Sequence, residues 1–259
     1  MPHPDRIAVE NMPGEGGLAG VRHANALAAA GVEPVLLLAT PSTHILLPAR
    51  LGASAAPDDS FAPLLGLGSA PNVLLVSARL DVRTLEEFVA RARSGDLAYA
   101  SAGAGQTIHV CSAYFCSLAG IRMAHRPYDA GSAHAYPDLA AGRVHAYFDN
   151  VLACREAIAR GDVRPLAISS PVRHRLLPHV PTLAESGFPD HVLDIWFGVF
   201  AAGGSRPDLR AIEGLRTGTA LRERLRDVGL GGEPLDAFAL EREIGSSRER
   251  WRNALAAAG

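Results

Sequence analysis

The chain has 259 residues, of which 48% are hydrophobic and 20% are charged, and its formal net charge is −2. This composition is typical of a folded globular protein, and the length allows one large domain or two lobes with their own cores. A net charge so close to zero argues against a nucleic-acid or anionic-membrane partner. Lysine is absent, so the chain has neither a P-loop lysine nor a Schiff-base lysine.

Apolar runs alternate with helical apolar spacings along the chain. The predicted strands are 7–10, 34–39, 62–68, 72–76, 97–100, 123–128, 144–148, 163–168 and 194–200. The predicted helices are 18–30, 85–93, 106–120, 133–141, 151–160, 207–228 and 236–257, with a turn and short helix at 178–185. This alternation predicts an α/β protein with mostly parallel sheets. The continuous apolar run at 34–39 predicts a strand that is buried on both faces.

The cysteines and histidines show no disulfide or metal-binding motif, and the N-terminus shows no signal-peptide motif. Cys111, Cys116 and Cys154 form no C-x-x-C pair, and the ten histidines show no metal-ligand spacing. We therefore expect buried free thiols, no metal site and no cofactor. The apolar runs are too short to span a bilayer. The first seven residues contain no apolar signal-peptide core, so we expect either a cytoplasmic protein or a sequence that lacks its leader.

The stretch from Leu97 to His109 is the most informative part of the chain. An apolar strand ends in the small, glycine-rich loop 101–105, and a helical pattern begins at Gln106. The first N–H groups of such a helix lack backbone partners, and the helix dipole favours an anion there. The stretch therefore predicts a site for a carboxylate or a phosphate. The alternative is an ordinary strand-to-helix turn with Ser101 or Thr107 as N-cap.

Nine short segments occur in a fixed order along the chain. They are 9–17 (VENMPGEGG), 36–40 (LLLAT), 71–76 (PNVLLV), 97–103 (LAYASAG), 125–128 (HRPY), 142–150 (GRVHAYFDN), 166–169 (LAIS), 178–187 (PHVPTLAESG) and 196–198 (WFG). In this order they resemble the substrate-binding receptors of tripartite tricarboxylate transporters, the Bug-type receptors. The resemblance covers almost the whole chain, from about Ile7 to Ala257.

The resemblance implies a periplasmic-binding-protein-like (type II) fold, in which two α/β lobes close on a hinge around an interlobe cleft. We expect the chain to cross between lobes near Val76–Arg79 and Phe200–Ala202. Residues 1–77 plus 201–259 would then form lobe 1, and residues 78–200 would form lobe 2. The implied partners are a small carboxylate ligand and membrane transporter subunits, without nucleic acid and without direct membrane insertion. The implied location is the periplasm.

The same resemblance implies a set of ligand-binding residues. Lobe 1 would contribute hydroxyl groups from the loop after the predicted strand 34–39. Lobe 2 would contribute the loop 101–107, the loop after the predicted strand 123–128 and the end of the predicted strand 144–148. The implied residues are Thr40, Ser42, Thr43, Ser101, Ala102, Gly103, Gln106, Thr107, Tyr128, Gly131 and Asp149. Tyr128 could instead pack within a lobe, and Asp149 could instead cap the helix at 151–160.

The sequence departs from the family pattern in two places. Family members usually begin with a signal peptide and a strand–loop–helix unit ahead of the segment that matches 7–11, and this sequence has neither. The usual Gly-Asn-Gly-Thr turn has Ala104 in place of Asn and Gln106 in place of Thr. We expect the second change to remove a polar side chain from the anion site.

Two other functions compete with the receptor. Ser101, His109 and Asp149 could act as nucleophile, base and orienting acid of a serine-type hydrolase. The absence of a G-x-S-x-G elbow counts against that hypothesis. A cytoplasmic ligand-sensing module would share the two-lobe architecture. For that module, the absence of a helix-turn-helix segment or basic patch counts against DNA contact by this chain.

Overall fold

The structure is a computed structural model that describes residues 8–12, 14–51, 60–129 and 131–258. Within these residues nine helices and nine strands are defined. The helices are α1 Leu18–Ala29, α2 Leu47–Leu51, α3 Leu85–Ala92, α4 Thr107–Ala119, α5 Tyr136–Ala140, α6 Val151–Ala159, α7 Leu209–Thr217, α8 Thr219–Asp227 and α9 Ala237–Ala257. The strands are β1 Leu36–Ala39, β2 Phe61–Ala70, β3 Asn72–Ser77, β4 Ala98–Ser101, β5 Ala124–Pro127, β6 Ala146–Asn150, β7 Val163–Ile168, β8 Ile195–Ala202 and β9 Leu235–Asp236.

The strands form two sheets. The first sheet has the order β1-β8-β2-β9, and every pairing in it is antiparallel. The second sheet has the order β5-β4-β6-β3-β7; β4 runs parallel to β5 and β6, whereas β3 runs antiparallel to β6 and β7. The α/β class is confirmed, but the prediction of mostly parallel sheets is wrong. No helix connects β2 to β3, because the single residue Pro71 leads the chain from one sheet into the other.

The positions where the chain changes sheet differ from the predicted lobe crossings. The first change lies at Pro71, between β2 and β3, rather than at 76–79. The second lies in the segment 169–194, between β7 and β8, rather than at 200–202. A change of sheet does not by itself define a lobe boundary, so the division of the chain into lobes at 77 and 201 stays a prediction.

Local signals explain most helix ends. Thr84 caps α3 by accepting the Glu87 N–H at 3.1 Å, and the Glu87 side chain accepts the Thr84 N–H in return. Asn150 caps α6, and Asp236 caps α9. Gly120 ends α4 in the left-handed conformation at φ 61°. The predicted helix at 207–228 is two helices, because the chain leaves helical geometry at Gly218.

Several predicted elements are wrong. Residues 8–10 form no strand, and Ile7 lies outside the described residues. The turns at 178–185 contain no helix. β1 is an edge strand with Leu36 47% and Leu38 60% exposed, so it is not buried on both faces. The Thr40–His44 segment is helical rather than a loop, since the Thr40 carbonyl accepts from the N–H groups of Thr43 and His44.

Buried side chains from both sheets belong to one continuous hydrophobic cluster. Trp251 of α9, Phe200 of β8 and Phe148 of β6 are all nearly inaccessible members of it. The two sheets therefore share a core. Among the described residues, no helix combines the length and the apolar character needed to cross a membrane.

Candidate functional site

The loop between β4 and α4 starts at the end of a central strand of the second sheet. Ser101 is fully buried, and its Oγ accepts the Gly103 N–H at 3.1 Å. The same oxygen lies 2.6 Å from Nε2 of His125 on β5. Ser101 therefore shapes the loop from within. Gly103 has φ 133°, and a Cβ there would meet the Gln106 amide nitrogen at 2.7 Å, so only glycine fits this bend.

The start of α4 has no cap from its own loop. Gln106 occupies the N-cap position without a capping bond, and its side chain donates to the Ala102 carbonyl at 2.7 Å. Neither Ser101 nor Thr107 is the N-cap. Within the described residues, the N–H groups of Ile108 and His109 have no acceptor. These are the donors that a helix start leaves for an external anion.

The segment after β1 faces this helix start. Ser42 Oγ accepts the Thr107 N–H at 3.2 Å and lies 3.4 Å from Thr107 Oγ1. Thr43 is turned inward instead, where its hydroxyl donates to the Thr40 carbonyl at 3.0 Å. Thr40 and Thr43 therefore order their own turn, whereas Ser42 reaches the start of α4.

Arg50 of α2 is the cation that sequence reasoning missed. Its Nη1 donates to the Ala104 carbonyl at 2.7 Å, and its side chain lies directly against Gly105. The loops predicted for the site contain no arginine, but Arg50 reaches this loop from the helix opposite. It follows Ser42 by eight residues, about two helical turns. This helical spacing could have linked Arg50 to Ser42, but the hydroxyl-rich segment Thr40–His44 predicts a loop, so the spacing was not considered.

Of the remaining predicted residues, Tyr128 reaches the β4–α4 loop through its backbone, because its N–H donates to the Ser101 carbonyl at 2.8 Å. The Tyr128 hydroxyl donates to Asp138 at 2.6 Å, and burial together with that bond raises the pKa of Tyr128 to about 12. Gly131 lies in the same connection, with φ 116° and open space where a Cβ would be. The Gly131 N–H donates to the Tyr128 carbonyl at 2.9 Å.

Asp149 is fully buried at the end of β6. It accepts the Tyr136 hydroxyl at 2.8 Å and the Asn150 N–H at 2.8 Å. Burial raises the pKa of its carboxyl group to about 6, although the bond from Tyr136 opposes this shift. Asp149 is not the cap of α6, because the Asn150 side chain performs that role.

Two histidines support the loop from beneath. The rings of His109 on α4 and His125 on β5 are in contact, tilted by 40° with centroids 4.2 Å apart, and Tyr99 of β4 flanks them. His109 Nδ1 accepts the Gly105 N–H at 3.1 Å. Burial, aided by the charges of His125 and Arg50, lowers the pKa of His109 to about 4. Burial also lowers the pKa of His125, against the opposing effect of Asp129.

The residues of the hydrolase hypothesis are not assembled as a triad. Ser101 contacts His125 rather than His109, and His109 is occupied by Gly105. Asp149 is bonded to Tyr136 and Asn150. Cys111, Cys116 and Cys154 are free thiols. In the part of the chain that the structure describes, no group of three His, Cys, Asp or Glu side chains could hold a metal ion.

A cavity of about 510 Å³ lies away from this loop. It is bounded by α5, α6 and the turn after α6, and Tyr136 forms part of its wall. Its charged groups are already paired, since Arg160 lies 2.7 Å from Asp162 and 3.8 Å from Glu156. It therefore offers no free charge for an ionic ligand.

The chain is similar to several known proteins. It is 40% identical over 151 residues to the UPF0065 protein in the tcbD-tcbE intergenic region of a Pseudomonas species, a match that covers 57% of this chain and 45% of that protein. It is 32% identical over 226 residues to Protein BugT of Bordetella pertussis, covering 84% of this chain and 67% of that protein. This chain thus spans about half the length of the first relative and two thirds of the second.

Solved structures show the same fold. An R. palustris protein solved with adipate superimposes with a TM-score of 0.82 at 27% identity, covering 94% of this chain and 84% of that one. MatC from Rhodopseudomonas palustris with bound malate superimposes with a TM-score of 0.81 at 26% identity, covering 96% and 87%. The type II periplasmic-binding-protein fold expected from the sequence is confirmed.

The sequence profile described as tripartite tricarboxylate transporter family receptor matches residues 4–255, nearly the full chain. This is a family of solute-binding receptors rather than of enzymes, so the hydrolase hypothesis is wrong. The chain belongs to the tripartite tricarboxylate transporter receptor family and is related to the Bug-type receptors.

Proposed function

We propose that this protein is a receptor that captures a small di- or tricarboxylate between the β4–α4 loop and the facing segment from Thr40 to Arg50. Family membership supports a solute receptor, and the adipate and malate held by two structural neighbours support a carboxylate as the solute. The proposal rests chiefly on one observation. The start of α4 presents N–H donors to a facing segment that already supplies one oxygen acceptor, Ser42 Oγ.

The chemistry of the helix start suits a carboxylate. The N–H groups of Thr107, Ile108 and His109 converge at the positive end of the α4 dipole. A carboxylate oxygen would take the place of Ser42 Oγ at the Thr107 N–H, and its negative charge would make that bond stronger than the neutral one. Arg50 adds a second positive group at the rim of the same loop.

Ligand entry requires the two facing segments to separate, because Ser42 and Arg50 now contact the loop directly. Ser42 and Arg50 belong to the proposed lobe 1, and the loop belongs to the proposed lobe 2. Opening and closing of these lobes would admit the ligand and then exclude water. Ser42, Thr107 and the loop at 101–106 would be the principal contacts, together with Thr40 and Thr43 behind Ser42. Tyr128 and Gly131 would line the next loop of the cleft, and the buried Asp149 would lie behind it at the end of β6.

Family membership also supports a role in uptake. The loaded receptor would deliver its ligand to the membrane subunits of a tripartite transporter, and the periplasm is the compartment in which such a receptor would work. The alternative of a ligand-sensing module uses the same site and the same ligand class, so the binding experiment below serves both.

A thermal-shift screen of C3–C6 carboxylates, including malate and adipate, tests the proposal. A ligand at 100 times its Kd should stabilise the protein by about 2.7 kcal/mol. Thr107→Ala should reduce this shift, whereas Thr107→Ser should retain most of it. The matched control is Ser117→Ala, which removes an exposed hydroxyl from the same helix. Equal reductions in Thr107→Ala and Ser117→Ala, or no shift with any acid of the screen, would refute the proposed site.

A further inference from the structure

The loop between β4 and α4 is held by histidine side chains rather than by backbone bonds alone. Two of its polar groups, the Gly105 N–H and the Ser101 hydroxyl, bond to His109 and His125 at 3.1 and 2.6 Å. The two imidazole rings contact each other with a centroid separation of 4.2 Å and a tilt of 40°. The shape of the loop therefore depends on two titratable side chains from different elements.

The bond to Gly105 fixes the protonation state of His109. An N–H can donate only to an unprotonated nitrogen, so Nδ1 of His109 carries no proton and the ring is neutral. A proton on this nitrogen would turn an acceptor into a donor that faces another donor. Gly105 has φ 73° and directly precedes the N-cap residue of α4, so loss of this bond would displace the helix start.

The surroundings oppose a positive charge on either ring. His109 faces His125 from β5, Tyr99 from β4 and Arg50 from α2. His125 faces the same tyrosine and His109, and Asp129 is the one negative group that acts on it among the described residues. The two rings are too close to carry charge together without strong repulsion.

We propose that His109 and His125 are positioning residues and that the loop 101–105 keeps its ligand-binding shape only while His109 is neutral, so that acidification releases the ligand. This inference rests on the proposed function for its ligand, and it adds a control that the helix start alone does not provide. The receptor would hold its carboxylate at neutral pH and lose it as the pH falls.

The direction follows from the lowered pKa values. A histidine that resists protonation in the folded loop stabilises that loop fully above its unfolded pKa near 6.5. This stabilisation is lost as the pH falls from there toward about 4, the pKa of His109 in the fold. The ligand carboxylates also begin to protonate toward pH 4, so the contribution of the loop is the difference in pH dependence between the wild type and a variant whose loop acceptor does not titrate.

NMR of the unliganded protein tests the loop directly. Histidine ring signals and the Gly105 amide are followed from pH 7.5 to 3.5. We expect His109 to titrate well below 6.5 and the Gly105 amide shift to move with the same midpoint. A His109 that titrates near 6.5, or a Gly105 amide that does not change while His109 titrates, would overturn the proposal. This measurement needs no ligand, so it is decided even if malate and adipate fail to bind.

Two variants separate the acceptor from the ring. His109→Asn keeps an acceptor at the δ position that does not titrate, so it should retain binding of malate or adipate at pH 7 and reduce its pH dependence between 7 and 4. His109→Phe keeps an aromatic ring against His125 but removes the acceptor, and it should weaken binding at pH 7 about tenfold, the value of one hydrogen bond.

The matched control is His145→Asn. His145 Nδ1 accepts the Ala98 N–H at 2.9 Å, the same kind of bond at the opposite end of β4. This variant should leave both the affinity and its pH dependence unchanged. Affinity in His109→Phe equal to that in His145→Asn, or pH dependence in His109→Asn equal to that of the wild type, would contradict the proposal.

Discussion

Replacement of Ser169 by alanine should destabilise the protein by about 2–3 kcal/mol. Ser169 is fully buried just after β7, and it joins the two stretches of chain that lead between the sheets. Its Oγ accepts the Asn72 N–H at 2.9 Å and donates to the Leu193 carbonyl at 3.2 Å. Its own N–H donates to the Asn72 carbonyl at 2.8 Å, a bond that alanine keeps.

The magnitude follows from the groups left without partners. Asn72 is fully buried, so its N–H would lose its acceptor at a cost of about 1–3 kcal/mol. The lost bond to Leu193 adds less than the usual 1 kcal/mol, because the Asn72 side chain still donates to that carbonyl at 3.3 Å. Removal of one oxygen leaves little empty volume, so the cavity contribution is small.

Urea unfolding at pH 7 measures the change as a lower midpoint at an unchanged slope. A thermal scan should show a Tm lower by roughly 4–12 °C, at 2–4 °C for each kcal/mol in a chain of this size. The control is Ser246→Ala, an exposed serine whose hydroxyl donates to the Glu243 carbonyl at 3.0 Å, which should change stability by less than about 0.5 kcal/mol. If Ser169→Ala lies within 0.5 kcal/mol of that control, the buried N–H has found another partner and the reasoning is wrong.

Two further predictions concern Gly105 and Asp149. Gly105→Ala should lower the free energy of unfolding by about 1–2 kcal/mol because its backbone is left-handed, and by more because the added Cβ would collide with Arg50. The control is Gly120→Ala, at φ 61° with open space around it, which should show only the backbone effect. Urea unfolding in an Arg50→Ala background should remove the difference between the two variants, and a difference that persists would contradict the role of Arg50. Asp149→Asn should flatten the pH dependence of stability between pH 4 and 6. In the wild type, the carboxyl pKa rises from about 3.9 in the unfolded chain to about 6 in the fold. The stability is therefore fully present below the unfolded pKa and declines by about 3 kcal/mol as the pH rises through 6. Parallel stability curves for Asp149→Asn and the wild type across this range would show that Asp149 is not the titrating group.

Much of the local structure could be predicted because its causes lie close together in the chain. The capping box of Thr84 and Glu87 spans three residues, and α3 begins where that signal places it. The glycine after α4 has the left-handed conformation that a helix end requires. The strand predicted at 163–168 has the observed bounds of β7.

Features that depend on distant partners could not be predicted in this way. The exposure of Leu36 and Leu38 follows from the edge position of β1, which only the sheet order reveals. The direction of β3 could not be predicted either, because the single residue Pro71 connects β2 of the first sheet to β3 of the second. The hydroxyl-rich segment 40–44 indicated a loop, yet the Thr43 hydroxyl bonds to the Thr40 backbone within a helical turn.

The candidate site was predicted in part. The helix start at Thr107 lies where the sequence indicated, with unpaired N–H groups after it. Its contacts with Ser42 and Arg50 join residues 65 and 54 positions apart, and no local pattern encodes such pairs. The histidine support of the loop was missed for the same reason, since His125 approaches Ser101 from a neighbouring strand.

The placement of β8 between β1 and β2 has a consequence for the newly made chain. The ribosome completes β1 and β2 early, but they cannot join a common sheet until residues 195–202 have emerged more than a hundred residues later. All strands of the other sheet lie within residues 72–168, so that half can close first. In the interval, the exposed edges of β1 and β2 are open to pairing with foreign strands, and a nascent chain stalled before residue 195 should be the form most prone to aggregate.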